Sequence, residues 1–452
     1  MLHPIQSTAM SRDGSVVFCI IKNMIQVFRW DSTMSEFLAI GQWQDDQDKT
    51  LTIKKTVSEE QQRQIAENEA KRRKLDNEDA AASAEKSDKT SSKPKEAKVP
   101  VPGAGAPRVY NHIRNLALST DEKLLFACAD SDKALVIFEL DYEKDNCLAL
   151  RKRQPLPKRP NALTTSADDK DVLVADKFGD VYAVDAHSTE VIDPSNGGLE
   201  PILGHVSLLT AVAIVKDAEG KQLLVTADRD EHIRITRYPQ TYIIDKWLFG
   251  SKQFISTLCV PEWANNLLFS AGGDTFVSAW NWQTGELMDK LEIGELLEPY
   301  LGDAQLAPSK FQDESNSIVE YAVSKLVTFS NLPYVAFFVE QTKALFICKV
   351  DPLVGNLTLV QTIEMSLNIV SLSSALSANT LMVTLDHSEA EDEQLAAYIT
   401  WDGSEFSVDG KRNISFHNYI IDNLVENPLA NTEAEDIFPL YNVGSLRKRA
   451  EN

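Results

Sequence analysis

An imidazole, a hydroxyl and a carboxylate at His205, Thr226 and Asp230 are the side chains of this sequence best suited by type to proton transfer. Their placement argues against it, because each falls at the edge of an apolar segment that recurs elsewhere in the chain. They read as pins that hold turns together. No other constellation competes: there is no Walker loop, no HExxH pair and no metal-ligand spacing. Gly103-Ala-Gly105 is followed by Ala-Pro-Arg, and it neither leaves a strand nor opens a helix, so it fails as a dinucleotide-binding turn. The five cysteines, Cys19, Cys128, Cys147, Cys259 and Cys348, are odd in number and lack CxxC spacing. Four of them sit in apolar, strand-like surroundings, which fits buried reduced thiols of a cytosolic or nuclear protein better than disulfides or a metal site.

Three basic runs remain. Lys71, Arg72, Arg73 and Lys74 form four consecutive cations in a polar stretch. That pattern suits the acidic groove of a nuclear import receptor and sets up an expectation of nuclear localisation, against a merely solvated cluster. Arg151, Lys152, Arg153, Lys158 and Arg159 lie in Arg151-Lys-Arg-Gln-Pro-Leu-Pro-Lys-Arg-Pro160, where prolines should hold a loop extended and keep the cations off the core. Contact with RNA phosphate or an acidic partner competes there with a solvated loop. Ser445-Leu-Arg-Lys-Arg449 is a smaller version of the same. The whole chain, with 45 basic and 67 acidic residues and a formal charge of −22, repels a phosphate backbone at long range. It is no stand-alone nucleic-acid binder, although a local patch could work beside a partner that supplies the attraction. No apolar run is long enough to cross a bilayer, and the first residues lack the basic-then-apolar order of a secretion signal.

These residues are positioned by a repeated unit: an apolar strand, an Asp/Lys/Gly-rich turn, and a strand with alternate apolar positions. Clear copies are Leu124 to Phe138, Val172 to Val184, Leu223 to Ile235 and Leu267 to Trp280, with weaker ones at Tyr334 to Cys348 and Leu381 to Trp401. The first apolar residues after the turns are Ile25, Leu135, Val181, Ile233, Val277 and Leu345. The middle spacings of 46, 52 and 44 residues match a four-stranded propeller blade. The fold class expected is therefore all-β, a seven-bladed β-propeller. Residues 1–44 would form the first blade, 109–430 the remaining blades and 431–452 a C-terminal tail. Residues 45–108 contain no aromatic side chain and are dominated by polar types, so they are expected to be a disordered insertion. Gly204-His205 before the clearest blade, with Thr226, Asp230 and, one blade on, Trp280, matches a degenerate WD-repeat signature; His205, Thr226, Asp230 and Trp280 are thus expected to be structural.

Beyond this periodicity, particular strings resemble those of the fungal WD-repeat subunit of the tRNA (guanine-N7)-methyltransferase. Among them are Ile113-Arg-Asn-Leu116, Ala127-Cys-Ala-Asp-Ser-Asp-Lys133, Ala175-Asp-Lys-Phe-Gly-Asp-Val-Tyr182, Pro201-Ile-Leu-Gly-His-Val-Ser207, Asp228-Arg-Asp-Glu-His-Ile233, Asp245-Lys-Trp-Leu-Phe-Gly250 and Pro439-Leu-Tyr-Asn-Val443. The resemblance implies a non-catalytic scaffold in a heterodimer. A partner subunit would bind S-adenosylmethionine and methylate a guanine in the tRNA variable loop, and this chain would carry no cofactor. It also implies contact with the partner through the third and fourth blades, at Lys177, Arg229, Asp230 and Arg234. Strand alternation agrees on Arg234, placing Ile233 and Ile235 inward and Arg234 outward, where it could pair with a partner carboxylate. The alternatives are a propeller adaptor of a ubiquitin ligase or chromatin complex, and an enzyme with a site in the central channel. For the last, the sequence offers no clustered His or Asp set.

Overall fold

The computed structural model describes residues 3–47, 111–194, 197–312, 317–388, 394–423, 432, 437 and 439–449. The polar insertion and the Lys71–Lys74 run fall almost wholly outside them. Residues 1–45 and 112–452 make one unit, and 46–111 another.

The first unit is a ring of seven four-stranded antiparallel sheets, each built from four strands consecutive in sequence. The blades are β1–β4 (Ser7–Gln44), β5–β8 (Ile113–Pro155), β9–β12 (Pro160–Gly204), β13–β16 (Leu209–Leu248), β17–β20 (Ile255–Glu292), β21–β24 (Val323–Glu364) and β25–β28 (Ile369–Val408). The expected propeller is present, and every residue aligned after a turn lies in the third strand of its blade. The central strands are apolar on both faces: Val16–Ile21, Leu124–Ala129 and Leu267–Gly272 are buried throughout. A blade is covered by its neighbours on both sides, so period-two alternation fades in the middle of the sheet. It survives only towards the outer strands, such as Glu36–Gln44, which face water. Between blades five and six the chain forms the short helix Gly294–Leu297 and three 3-10 turns.

Polar side chains on the innermost strands stitch blade to blade. Asn115 Nδ2 donates to the Asn161 carbonyl (2.6 Å), Asn161 Nδ2 to that of Leu209 (2.7 Å), Thr210 Oγ1 to that of Ile255, and Ser256 Oγ to that of Val323. The first and last blades share no strand. They are closed by the Thr8–Ser373 hydroxyl pair (2.8 Å), by Thr384 Oγ1 on the Ile5 carbonyl (2.9 Å), and by a helix. That helix, Gly410–Asp422, was not expected from the sequence. Asp409 caps it by accepting the Arg412 N–H. Its buried Phe416 meets Phe28, Phe37 and Tyr398 edge-on, with ring centroids 5.2–5.9 Å apart, so one side chain joins both ends of the ring.

The strands leave a central channel of about 650 Å³ with a polar lining. The turns joining second to third strands surround one mouth, and residues 439–449 run over it as a strap. Tyr441 donates to Asp386 (2.8 Å), and the backbone N–H groups of Asn442, Val443 and Gly444 all point at the Glu340 carboxylate (2.8–2.9 Å). Arg447 donates to the carbonyls of Gly273 and Tyr321. The strap thus crosses from the seventh blade to the fourth. At the opposite mouth, Arg12 reaches from the first blade to Glu262 of the fifth with two bonds of 2.7 and 2.9 Å. All five cysteines are buried and none is in a disulfide. No helix of the described residues is long and apolar enough to cross a membrane.

Candidate functional site

In the fourth blade, His205 Nδ1 lies 2.9 Å from Asp228 Oδ2 and Nε2 lies 2.8 Å from Thr226 Oγ1. Burial lowers the His205 pKa, outweighing the pull of Asp228, so the ring is neutral near pH 7. Nδ1–H then donates to the carboxylate and Nε2 accepts from the hydroxyl. With the imidazole saturated by two structural partners and no channel access, it is a pin and not a base. The acid in this set is Asp228, not the expected Asp230. Asp228 sits at the end of its strand and also accepts the N–H groups of Asp230 and His232 (2.8 and 3.0 Å), closing the turn. The tryptophan of the signature is missing here, where Thr236 is buried instead. It appears in the next blade as Trp280, whose indole N–H donates to Ser270 (2.9 Å). There, Gly250 takes the histidine's place: a Cβ on it would sit 3.0 Å from the Trp280 ring. The signature is divided between two blades.

On the strap-bearing face, the turn after β10 (Asp171–Asp176) lifts Phe178 to 56% exposure. Gly179 makes this turn possible. It has φ +102°, and a side chain there would strike the His205 carbonyl at 2.4 Å. Lys158 Nζ lies 4.6 Å and Lys177 Nζ 5.4 Å from the Phe178 ring centroid, so an exposed aromatic stands between two ammonium groups. Partial burial lowers the Lys177 pKa, and repulsion from Arg159, Lys133 and Lys158 lowers it further. The cations here outnumber their counter-charges. Asp130 below is already held by Arg114 through two bonds (2.9 and 3.2 Å), with Arg159 Nε at 3.9 Å.

The His205 N–H bonds the Gly179 carbonyl (2.8 Å), which makes this patch continuous with a second one on the fourth blade. Val206 is fully exposed and Phe249 is 69% exposed. Phe249 stacks on Trp247 at 6.1 Å with a 14° interplanar angle, and His232 packs edge-on to both. Phe178, Val206, Trp247 and Phe249 were not anticipated. The usable signal was an aromatic at a turn tip, in Asp176-Lys-Phe-Gly179, and another beyond a strand end, in Trp247-Leu-Phe-Gly250.

The other expected site residues divide. Lys177, Lys158 and Arg159 come together. Arg229 and Asp230 lie on the same face but are engaged by the strap: Arg229 Nε donates to the Leu446 carbonyl (2.6 Å) and Asp230 pairs with Lys448. Arg234 does not point outward. It is 9% exposed, donates Nη2 to the Gly204 carbonyl (2.9 Å), lies 5.5 Å from the Trp247 ring, and its Nε has no hydrogen-bond partner. Alternation failed because both faces of this blade are covered. Arg151, Lys152 and Arg153 are not in a loop, since β8 runs Leu148–Pro155. Lys152 is buried. Arg153 is spent on Asp45 (3.0 Å) and Asp132 (2.7 Å), and Arg151 donates to the His187 carbonyl. Among the described residues, no three His, Cys, Asp or Glu converge as a metal site.

The family model described as tRNA methyltransferase TRM82 WD40 domain matches residues 17–197 and 193–399. A Kluyveromyces lactis protein named tRNA (guanine-N(7)-)-methyltransferase non-catalytic subunit TRM82 is 50% identical over 453 residues, covering all of both chains. A Saccharomyces cerevisiae protein (strain ATCC 204508 / S288c) of the same name is 45% identical over 458 residues, covering 100% of this chain and 99% of its own. Among solved structures, that titled "Structure of U3-55K" superposes with a TM-score of 0.54 at 14% identity, covering 90% of this chain and 94% of that one, a likeness of fold alone. Matched by the family model over most of its length and by full-length relatives at up to half identity, this chain belongs to the tRNA methyltransferase TRM82 WD40 family.

Proposed function

We propose that this chain is the non-catalytic subunit of a heterodimeric tRNA (guanine-N7)-methyltransferase. Its end-to-end identity with relatives of that name carries the reading. In this reading S-adenosylmethionine and the reacting guanine of the variable loop belong to the catalytic partner, and the propeller holds that partner in working shape. The surface best suited to the task is the continuous rim of blades three and four: Lys158, Lys177 and Phe178 beside Val206, His232 and Phe249. Exposed aromatics ringed by polar groups have the composition of a binding hot spot. The Lys158–Arg159–Lys177 cluster offers a local attraction for a partner carboxylate, or for tRNA phosphate brought in by the partner. Lys71, Arg72, Arg73 and Lys74 would carry the chain into the nucleus.

Reconstitution tests the reading. The purified chain alone should transfer no methyl group to tRNA, and mixing with the catalytic subunit should give a one-to-one complex with full activity. A chain that stays monomeric in the mixture, or that pulls down a ubiquitin-ligase adaptor or histones as its stoichiometric partner, would overturn it. Replacing Lys71 to Lys74 by Ala should shift the protein to the cytoplasm; an unchanged nuclear signal would remove that segment from the account.

A further inference from the structure

The strap is fastened at four successive turns, each joining the second and third strands of its blade. They are held at Asp386 in the seventh blade, Glu340 in the sixth, the Gly273 carbonyl in the fifth, and Arg229 with Asp230 in the fourth. The last of these turns borders the rim. From the strap side, the Leu446 carbonyl accepts from Arg229 Nε (2.6 Å) and Lys448 pairs with Asp230. From the rim side, His232 packs edge-on to Trp247 and Phe249, with ring centroids 5.7 and 6.5 Å away. Between them Glu231 has φ +74°, a left-handed backbone that a residue with a Cβ keeps only where its surroundings hold it.

Asp228 closes the same turn from within, by accepting the Asp230 and His232 N–H groups (2.8 and 3.0 Å) and by pairing with His205. The His205 N–H in turn bonds the Gly179 carbonyl beside Phe178. One set of bonds therefore runs from the strap through residues 228–232 to both halves of the rim. A surface ordered in advance loses less conformational freedom when a partner docks on it. We propose that the strap is a brace for the docking surface: seated on Asp386 and Glu340, its far end fixes the Arg229–His232 turn, and docking on the rim is coupled to the seating of the strap. This rests on the reading of the rim as the contact for the catalytic subunit. The coupling acts through order in the turn and does not require the strap to touch the partner. It is also reciprocal, so a docked partner must hold the strap down.

The test loosens the strap far from the rim, in the full-length chain. Glu340→Gln/Tyr441→Phe weakens the fastenings on the sixth and seventh blades and leaves every residue of blades three and four in place. Arg12→Ala is the control, cutting the link to Glu262 at the opposite mouth. Hydrogen–deuterium exchange of the chain alone, read at residues 228–232, should speed up by about fivefold or more in the strap variant and stay unchanged in the control. Titration with the catalytic subunit should show a dissociation constant raised by roughly fivefold or more in the strap variant and unaltered in the control. The catalytic subunit should slow proteolysis of residues 439–449 in the strap variant by the same factor. Should the double variant fail to fold, Glu340→Gln alone must shift all three readouts in the same direction. Unchanged exchange at residues 228–232, an unchanged dissociation constant in the strap variant, or equal weakening in the control would each overturn the proposal. If the natural chain forms no complex with the catalytic subunit, the function proposed above falls, and exchange at residues 228–232 still decides whether the strap braces the turn.

Discussion

At the scale of single residues, one arginine and two aromatics separate structure from recognition. Arg234 has a buried guanidinium whose bonds all stay within the propeller, so Arg234→Glu should put an unmatched carboxylate beside Trp247 and lower stability by about 3–5 kcal/mol. A drop in Tm would accompany any loss of partner binding, and a normal Tm would contradict the buried placement. Phe178 is the reverse case. Phe178→Ala removes an exposed ring and should leave the unfolding free energy within about 0.5 kcal/mol of the natural value. It should also weaken the complex with the catalytic subunit by roughly 2 kcal/mol, read as a change in dissociation constant. Trp280 bridges to Ser270 from within the core, and Trp280→Ala should cost about 3–5 kcal/mol. Legibility at this scale was uneven. The repeat sets the spacing of His205 and Thr226 from the strand, and in the structure their side chains lie 2.8 Å apart. The sequence alone assigns the turn acid two positions late, to Asp230, because Asp228-Arg-Asp230 offers two carboxylates and only backbone geometry tells which one ends the strand.

At the scale of elements, the strap and the closing helix do work that periodicity does not announce. Neither repeats, and neither carries a blade pattern. The strap is fastened in part by one half-buried carboxylate with three N–H donors, so Glu340→Gln keeps the shape but removes the charge that makes those bonds strong. It should cost about 1–3 kcal/mol and make residues 439–449 cleavable by protease while the ring stays intact. Asp230→Asn breaks the half-exposed pair with Lys448 and should cost no more than about 1 kcal/mol. The strand elements were legible because four-stranded units of nearly constant length leave a period. The basic run at Arg151 was not. Its prolines suggested a loop, yet Pro155 ends an outer strand, where its missing N–H does no harm, and Arg153 before it turns back onto Asp45 and Asp132.

At the scale of the whole molecule, the ring is a rigid support whose stability should depend on acid. His3 is buried, and desolvation lowers its pKa to about 4; His205 is lowered as well. Both are neutral in the fold, whereas the unfolded chain takes up protons near pH 6.5. Stability from these groups is therefore fully present above that pH and is lost as pH falls through their lowered folded-state values, about 4 for His3. His3 alone accounts for about 3 kcal/mol. Denaturant unfolding between pH 4 and 8 should show a plateau above neutrality and a fall below about 6.5, and His3→Phe should flatten part of that fall. The propeller was readable from composition and period together. The rim was not, because exposure depends on which turns end up side by side after seven blades close.

Blades three and four are proposed to face the catalytic subunit. Hydrogen–deuterium exchange of the chain alone and in the complex tests it most directly. Complex formation should bring new protection in residues 176–179, 205–208, 230–232 and 247–250, with the turns around Arg12 and Glu262 unchanged. Protection confined to that opposite mouth, or to the outer strands of other blades, would contradict it.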